Sequence, residues 1–441
     1  MSGSALRRVI RLPHATAKVV GTIIGASIFV QPSEVTRGVP TIWGALAVWL
    51  LAGALTLAGA LVTAELASTF SRTGGVYVYL TEQYGPWLGF LWGWAMFWSM
   101  HSGIIAAIAV VFARYTGYLI PLGPTGTRLV AIGVILLLSG INFLGVKQGS
   151  RLQTAFTAGK LIAVALIVLA GFGLGGRVSQ HFVGPATGHA VSPSDFLTGL
   201  VAGLFAFGGW HMVTYSSEET VNPTRTIPRA LLFGTLIVTA AYLLMNAAYL
   251  YVLPLDQVAS SSRVAADLAD RLLGGGGGAA VSAIVMFSTF GALAGIILAG
   301  PRVYLAMARD GLLFRWAGAV HPRFQTPHRA IVLQAIWASL LVALSSFRAL
   351  FLQVVYTEWI FFGLMAIGLI LLRRRPGVQR DYAVWGYPLL PGLFALAAFV
   401  VVANRVYADP VNTSKGLGLV VLGLPVYFLW ARKGPLAQGL P

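Results

Sequence analysis

Two ionisable side chains stand inside long apolar runs. Lys160 lies in "TAFTAGKLIAVALIVLAG" and Glu358 in "VVYTEWIFFGLM". A charge in hydrocarbon is costly unless it is paired, held by carbonyls or neutralised, so each is a candidate for binding or ion transfer. Lys160 sits near the start of its run, so a snorkelling stem is an equal reading. Glu358 lies about 20 Å along a helix from Arg373, too deep for that explanation unless it points to the other face. The alternative for Glu358 is a protonated structural carboxyl bonded to a neighbouring helix. Two further stretches carry chemistry in their backbone. "VVGTIIGASIFVQ", Val19 to Gln31, holds Gly21, Thr22, Gly25 and Ser27, with Pro32 after it, and "FAFGGWH" holds Gly208 and Gly209. A helix interrupted there frees N–H groups on one side and carbonyls on the other. Freed N–H groups at a helix start suit a carboxylate, and freed carbonyls suit an ammonium. A zwitterionic amino acid carries both. The alternative for Gly21 and Gly25 is close helix packing through small residues four apart.

Other chemistries find little support. The chain has no Cys, which excludes disulfides, thiolate metal sites and thiol nucleophiles. Of the seven His, only His101 and His211 fall within apolar runs, and none has the spacing of a metal site, so no metal and no cofactor are expected. The glycine run at 274–278 lacks the Lys and Ser/Thr of a phosphate loop. No nucleophile, base and orienting acid stand together, so the chain does not read as an enzyme.

The elements that must position these residues are membrane helices. Hydrophobic residues make up 57% of the 441 positions and charged ones 10%, against roughly 25% charged in a soluble domain. Runs of about 20 apolar residues predict twelve spans, beginning with 12–31 and ending with 329–347, 350–372, 387–406 and 416–431. Between spans seven and eight, "PLDQVASSSRVAADLADRLLGGGGG" predicts one short amphipathic surface helix and a glycine run. The net charge of +17 could suggest nucleic acid. However, most Lys and Arg, including Arg373, Arg374, Arg375 and Arg380, fall on the side that holds both termini. That distribution predicts cytoplasmic termini and no nucleic-acid partner. Glu65, Glu82, Glu218 and Glu219 also fall near that interface, as gate or loop ion pairs.

The interrupted spans are the first and the sixth. They open two groups of five, about 12–174 and 195–372, with two extra helices at about 387–431. An odd count inverts the second group, and matching breaks in two halves point to a transporter's central site.

These residues resemble the amino acid–polyamine–organocation superfamily of transporters, and most closely its L-type branch with the bacterial alanine–serine–cysteine exchangers. The resemblance spans nearly the whole chain through "GTIIGASIFVQP", "AELASTFSRTGGVYVYLTEQYG", "QTAFTAGKLIA", "GLFAFGGWHMVTYSSEET", "NPTRTIPRA" and "STFGALAGIILAGPRVYLAMARDGLL". It implies an all-α LeuT-type fold working by alternating access in a cell membrane. It implies a substrate carboxylate on N–H groups around Gly25, Ala26 and Ser27, and an amino group on carbonyls around Thr22, Ile23, Phe205, Ala206 and Gly208. Phe205 would close over the substrate, Trp210 would support it, and Tyr242 would stand beside the site. Lys160 would take the place of a bound sodium, bridging span one to span eight near Ser288 and Thr289. Three positions depart from the pattern: His211 where Asn is common, Ala294 where Asn is common, and Glu358 on the substrate side. The expectation is sodium-independent exchange of neutral L-amino acids. A proton-coupled or cationic-substrate carrier and a non-transporting receptor are the alternatives. Without Cys, no disulfide-linked heavy chain is expected.

Overall fold

The computed structural model describes residues 8–144, 150–176, 191–274, 276–314, 316–324 and 326–433. The side chains of 150–156 and 430–433 lie outside that description, as do Gly275 of the glycine run and the basic residues Arg7, Lys147, Arg177 and Arg315.

The fold is all-α and membrane-spanning. Ten helices among the described residues are long and apolar enough to cross a bilayer. Two expected spans are absent from that set for physical reasons. The ninth, α14 (His328–Leu344), has only 17 residues. The first is broken: α1 (Leu12–Ile23) ends, a 3-10 turn covers Ser27–Phe29, and α2 (Gln31–Gly38) continues. It therefore runs to Gly38, beyond the predicted 31. Pro32 does not end this span, because a proline in a helix's first turn removes an N–H that has no partner there anyway.

Next come α3 (Ile42–Thr69), capped by the Thr41 hydroxyl on the Gly44 N–H, and α4 (Val76–Tyr84). Tyr77 of α4 donates its hydroxyl to Asp310 Oδ2 at 2.7 Å. Burial, and then that bond, hold the Tyr77 phenol well above its usual range. The third span is continuous in space but not in pitch: α5 (Pro86–Ala95), a π-turn over Met96–Met100, and α6 (His101–Leu119). A wider turn leaves a carbonyl unmatched. Trp98 lies in that turn, and its carbonyl accepts from Trp337 Nε1 at 3.0 Å.

The chain continues through α7 (Pro124–Phe143), α8 (Ser150–Leu174) and α9 (Pro193–Ala206). The start of α9 is fixed by a reciprocal cap between Ser192 and Asp195 with Pro193 in its first turn. After a break at Phe207–Gly209 the sixth span resumes as a 3-10 helix, Trp210–Glu219, kinked at Ser216. Then follow α10 (Pro223–Val252), α11 (Leu255–Ser260), α12 (Val264–Leu273) and α13 (Gly277–Arg309). The single surface helix expected between spans seven and eight is thus a pair. α12 buries Val264, Ala265, Ala266 and Leu268, so it is packed structure with only one solvated face.

Beyond α14 lie α15 (Phe347–Leu372) and α16 (Leu389–Ala408), then α17 (Pro410–Val421) and α18 (Gly423–Lys433). The last span starts at Pro410, earlier than the predicted 416, and is divided at Leu422. Outward-facing Leu129, Leu136, Leu169, Phe287 and Leu344 are exposed, as lipid-facing residues must be, while Trp49, Trp92, Tyr115 and Phe351 are buried. Lipid gives helices no hydrophobic reason to associate, so close packing and buried hydrogen bonds hold the bundle together.

Candidate functional site

The site grows from the end of α1. A helix that stops leaves its last carbonyls without intrahelical donors. Val20's carbonyl is used by the Ile24 N–H at 2.8 Å. Gly21's carbonyl accepts from Lys160 Nζ at 3.1 Å. Ile23's carbonyl accepts from the Gly25 N–H at 2.7 Å and from Tyr242 Oη at 2.9 Å. Tyr242 Oη also lies 3.1 Å from the Ala206 carbonyl, which ends α9. One phenol therefore ties the two breaks together.

The groups left over define what the breaks can bind. Among the described residues, no hydrogen bond reaches the carbonyls of Thr22 or Gly208, and none uses the N–H groups of Ala26, Ser27 or Ile28. Gly25's N–H, by contrast, is spent on Ile23. Phe205's carbonyl is spent on the Gly208 N–H at 3.0 Å. Free carbonyls suit a cation and free N–H groups suit an anion, and the two breaks supply both.

A cavity of about 20 Å³ sits between the breaks. Of the residues singled out from sequence, Thr22, Ile23, Gly25, Ser27, Phe205, Gly208, Gly209 and Glu358 line it. Ala26 and Ala206 are buried and do not line it. Glu358 is 5% exposed, and no cation among the described residues pairs with it. Phe205 packs against Phe351 of α15 with its ring tilted by 49°, ring centres 5.6 Å apart. Trp210 packs on Phe362 at 5.1 Å and on His211 at 5.5 Å, away from the cavity. His211 is enclosed by rings, including Trp92 and Tyr215, and its Nδ1 has no hydrogen-bond partner. Ser288 and Thr289 are buried with hydroxyls that have no partner, and no bond joins them to Lys160. α13 meets the break instead at Ala292, 3.7 Å from where a Gly25 Cβ would be.

Two glycines resolve differently. A Cβ on Gly21 would fall 2.3 Å from Thr157 Oγ1, so Gly21 is a packing notch against α8. Gly209 has φ +93°, and a Cβ there would meet Thr22 Cγ2 at 2.8 Å. It supplies both the left-handed backbone of the second break and the close approach of the two breaks.

Sequence reasoning missed Ile104, Ile108, Met212, Ile296 and Val354, which complete the wall. Each is one apolar residue in an apolar helix, and nothing in its type marks it. A second cavity of about 310 Å³ opens on the N-terminal side, reaching Lys18, Lys160, Glu219 and Arg302. The two cavities share Thr22, Met212 and Ile296. The opposite side is bridged by side-chain contacts. There Tyr115 Oη donates to the Phe29 carbonyl at 2.8 Å, and Glu34 pairs with Arg37 and Arg348, each at 3.0 Å.

Two broken membrane helices facing each other across a small central cavity, with a larger cavity beside it, define a multi-pass carrier that works from a central site. The chain belongs to the amino acid permease family, whose model matches residues 10–426. It is 35% identical to the serine/threonine exchanger SteT of Bacillus subtilis, over 96% of this chain and 97% of that one. It is 33% identical to the human large neutral amino acids transporter small subunit 2, over 98% of this chain and 82% of that one. It is 30% identical to the human cystine/glutamate transporter, over 97% and 87% of the two chains.

Proposed function

We propose that the protein exchanges neutral L-amino acids across a cell membrane without sodium, by alternating access between two five-helix inverted repeats. The observation that carries this reading is the set of unpaired backbone groups at the breaks. The carboxylate sits on the N–H groups of Ala26, Ser27 and Ile28. The ammonium sits between the carbonyls of Thr22 and Gly208. Names of the relatives, which include a serine/threonine exchanger and a large neutral amino acid transporter, support the substrate class. The ammonium of Lys160 stands where a coupling cation would otherwise hold the end of α1, and the negative end of the helix dipole favours it there. Both termini lie in the cytoplasm in this reading, so the open vestibule is cytoplasmic.

A cavity of about 20 Å³ holds about one water. Binding an amino acid therefore requires the breaks to part, and the wall shared with the vestibule at Met212 and Ile296 is where room can be made. In proteoliposomes, uptake of labelled serine or leucine is expected only when unlabelled amino acid is trapped inside. Equal uptake into empty vesicles would overturn exchange.

A second reading rests on Glu358, a buried carboxyl on the cavity wall with no paired cation. As a proton carrier it would let an imposed proton gradient drive uptake into empty vesicles, and Glu358→Gln would abolish that drive.

The Tyr242 bridge gives a further expectation. Tyr242→Phe deletes one hydroxyl and leaves the Ile23 and Ala206 carbonyls short of a donor, at a cost of about 1–3 kcal/mol. Exchange assays are expected to show apparent affinity altered by roughly tenfold or more. An unchanged KM would show that the bridge does not shape the site.

A further inference from the structure

The vestibule carries more positive charge than its walls neutralise. Lys18 of α1 donates through Nζ to Ser216 Oγ. Arg302 of α13 donates through Nη1 to the same oxygen at 3.0 Å. Two cations thus converge on one neutral hydroxyl at the kink of the second half-helix. The acid nearby, Glu219, lies 3.3 Å from Arg302 Nη2 and so answers one of them. Glu218 is turned away to the Thr73 N–H, at 3.0 Å. Lys160 adds a third cation to the same cavity, and His14 on its rim has a buried Nδ1 without a hydrogen-bond partner. Like charges brought together in a poorly solvated cleft repel, and a cleft lined mainly by one sign concentrates ions of the other. The central site uses neither Lys18, Arg302 nor Ser216.

We propose that Lys18, Arg302 and Ser216 form a second binding site in the vestibule, for a carboxylate. Its occupant is the carboxylate of an amino acid waiting to enter, or just released from, the breaks. That identity of the occupant rests on the transport reading above, whereas the site itself does not. An anion seated between the two cations accepts from both, and the Ser216 hydroxyl is then free to donate to it. The cavity of about 310 Å³ has room for such a molecule where the central cavity does not.

Succinate tests the site because it offers carboxylates and has no ammonium for the Thr22 and Gly208 carbonyls. In proteoliposomes sorted by orientation, succinate on the vestibule side is expected to slow acylation of Lys18 by an amine-reactive ester, read by peptide mass spectrometry. On that side it should also compete with amino acid exchange, and on the opposite side it should not. Arg302→Gln is expected to raise the succinate needed for protection by roughly tenfold, since a charge-assisted bond is lost, and Arg302→Lys is expected to recover part of it. No protection, or protection unchanged in Arg302→Gln, overturns the site. Protection by chloride at the same concentration, with gluconate as the inert control, overturns its assignment to carboxylates. Protection of Lys18 in a wild-type protein that shows no exchange would leave the site standing and overturn the transport reading instead.

Discussion

Lys160→Ala is expected to lose most exchange activity while the protein still inserts and purifies. The Lys160 side chain is 6% exposed, and the bond it makes is to the Gly21 carbonyl at 3.1 Å. A hydrogen bond from a charged donor contributes about 1.5–3 kcal/mol, so the expected loss is roughly tenfold to a hundredfold in rate or apparent affinity. The reason lies at the end of α1. Its terminal carbonyls carry the negative end of the dipole, and Lys160 and Tyr242 are what hold them in place. Without the ammonium, Gly21 keeps its contact with Thr157, but the stretch after it loses its anchor. Proteoliposome exchange, measured beside the melting temperature in detergent, separates a lost anchor from a lost fold. Unchanged exchange would remove Lys160 from the mechanism.

The second large effect is on stability. Glu65 is 1% exposed at the end of α3. Arg373 meets it with two bonds, Nε to Oε1 at 2.8 Å and Nη2 to Oε2 at 2.6 Å. The Val384 N–H adds a bond at 2.7 Å, and Arg380 stands 3.7 Å away. Arg373 also stacks on Tyr387, 3.8 Å from the ring centre. This cluster joins α3, the end of α15 and the loop before α16. Arg373→Ala leaves the buried carboxylate with Arg380 at 3.7 Å as its remaining cation and without its two-bond partner, and breaking such a pair costs about 3–5 kcal/mol. The expected result is a marked fall in melting temperature and aggregation on size exclusion. Replacing both partners, Glu65→Leu with Arg373→Leu, is expected to recover much of the loss, because no charge is then stranded. A single variant as stable as the wild type would show that Arg380 suffices.

Much of this architecture was legible because membrane helices announce themselves by length and because irregular backbone in lipid needs a special reason. The breaks at Ile24–Ala26 and Phe207–Gly209 were legible as glycine and serine in otherwise apolar runs. Lys160 and Glu358 stood out by charge alone. Gly21 and Gly25 looked alike in sequence, and only the distance to Thr157 separates a packing notch from a site position. The division of labour among the carbonyls was not legible either. It depends on the Tyr242 hydroxyl, which reaches two residues far apart in the chain. Ile296 and Met212 were invisible for the opposite reason, since their neighbours in sequence are equally apolar. The last span shifted to Pro410 because Asp409 caps it, its carboxylate accepting from the Asn412 N–H at 3.3 Å in a polar stretch that hydropathy reads as loop.

A small piece of extended backbone sets how the vestibule works. The N–H groups of Val9 and Ile10 donate to the Glu219 carbonyl at 2.9 and 3.0 Å, and the Ile10 carbonyl accepts from the Val221 N–H at 2.9 Å. The segment leading into α1 is thereby stitched to the end of the sixth span. In the proposed alternating-access cycle these two half-helices are expected to move together, carrying Lys18, Ser216 and Glu219, while Arg302 belongs to α13. Such a movement would part the guanidinium from the hydroxyl and the carboxylate, so the cation cluster that greets a carboxylate would be assembled in one half of that cycle and dismantled in the other.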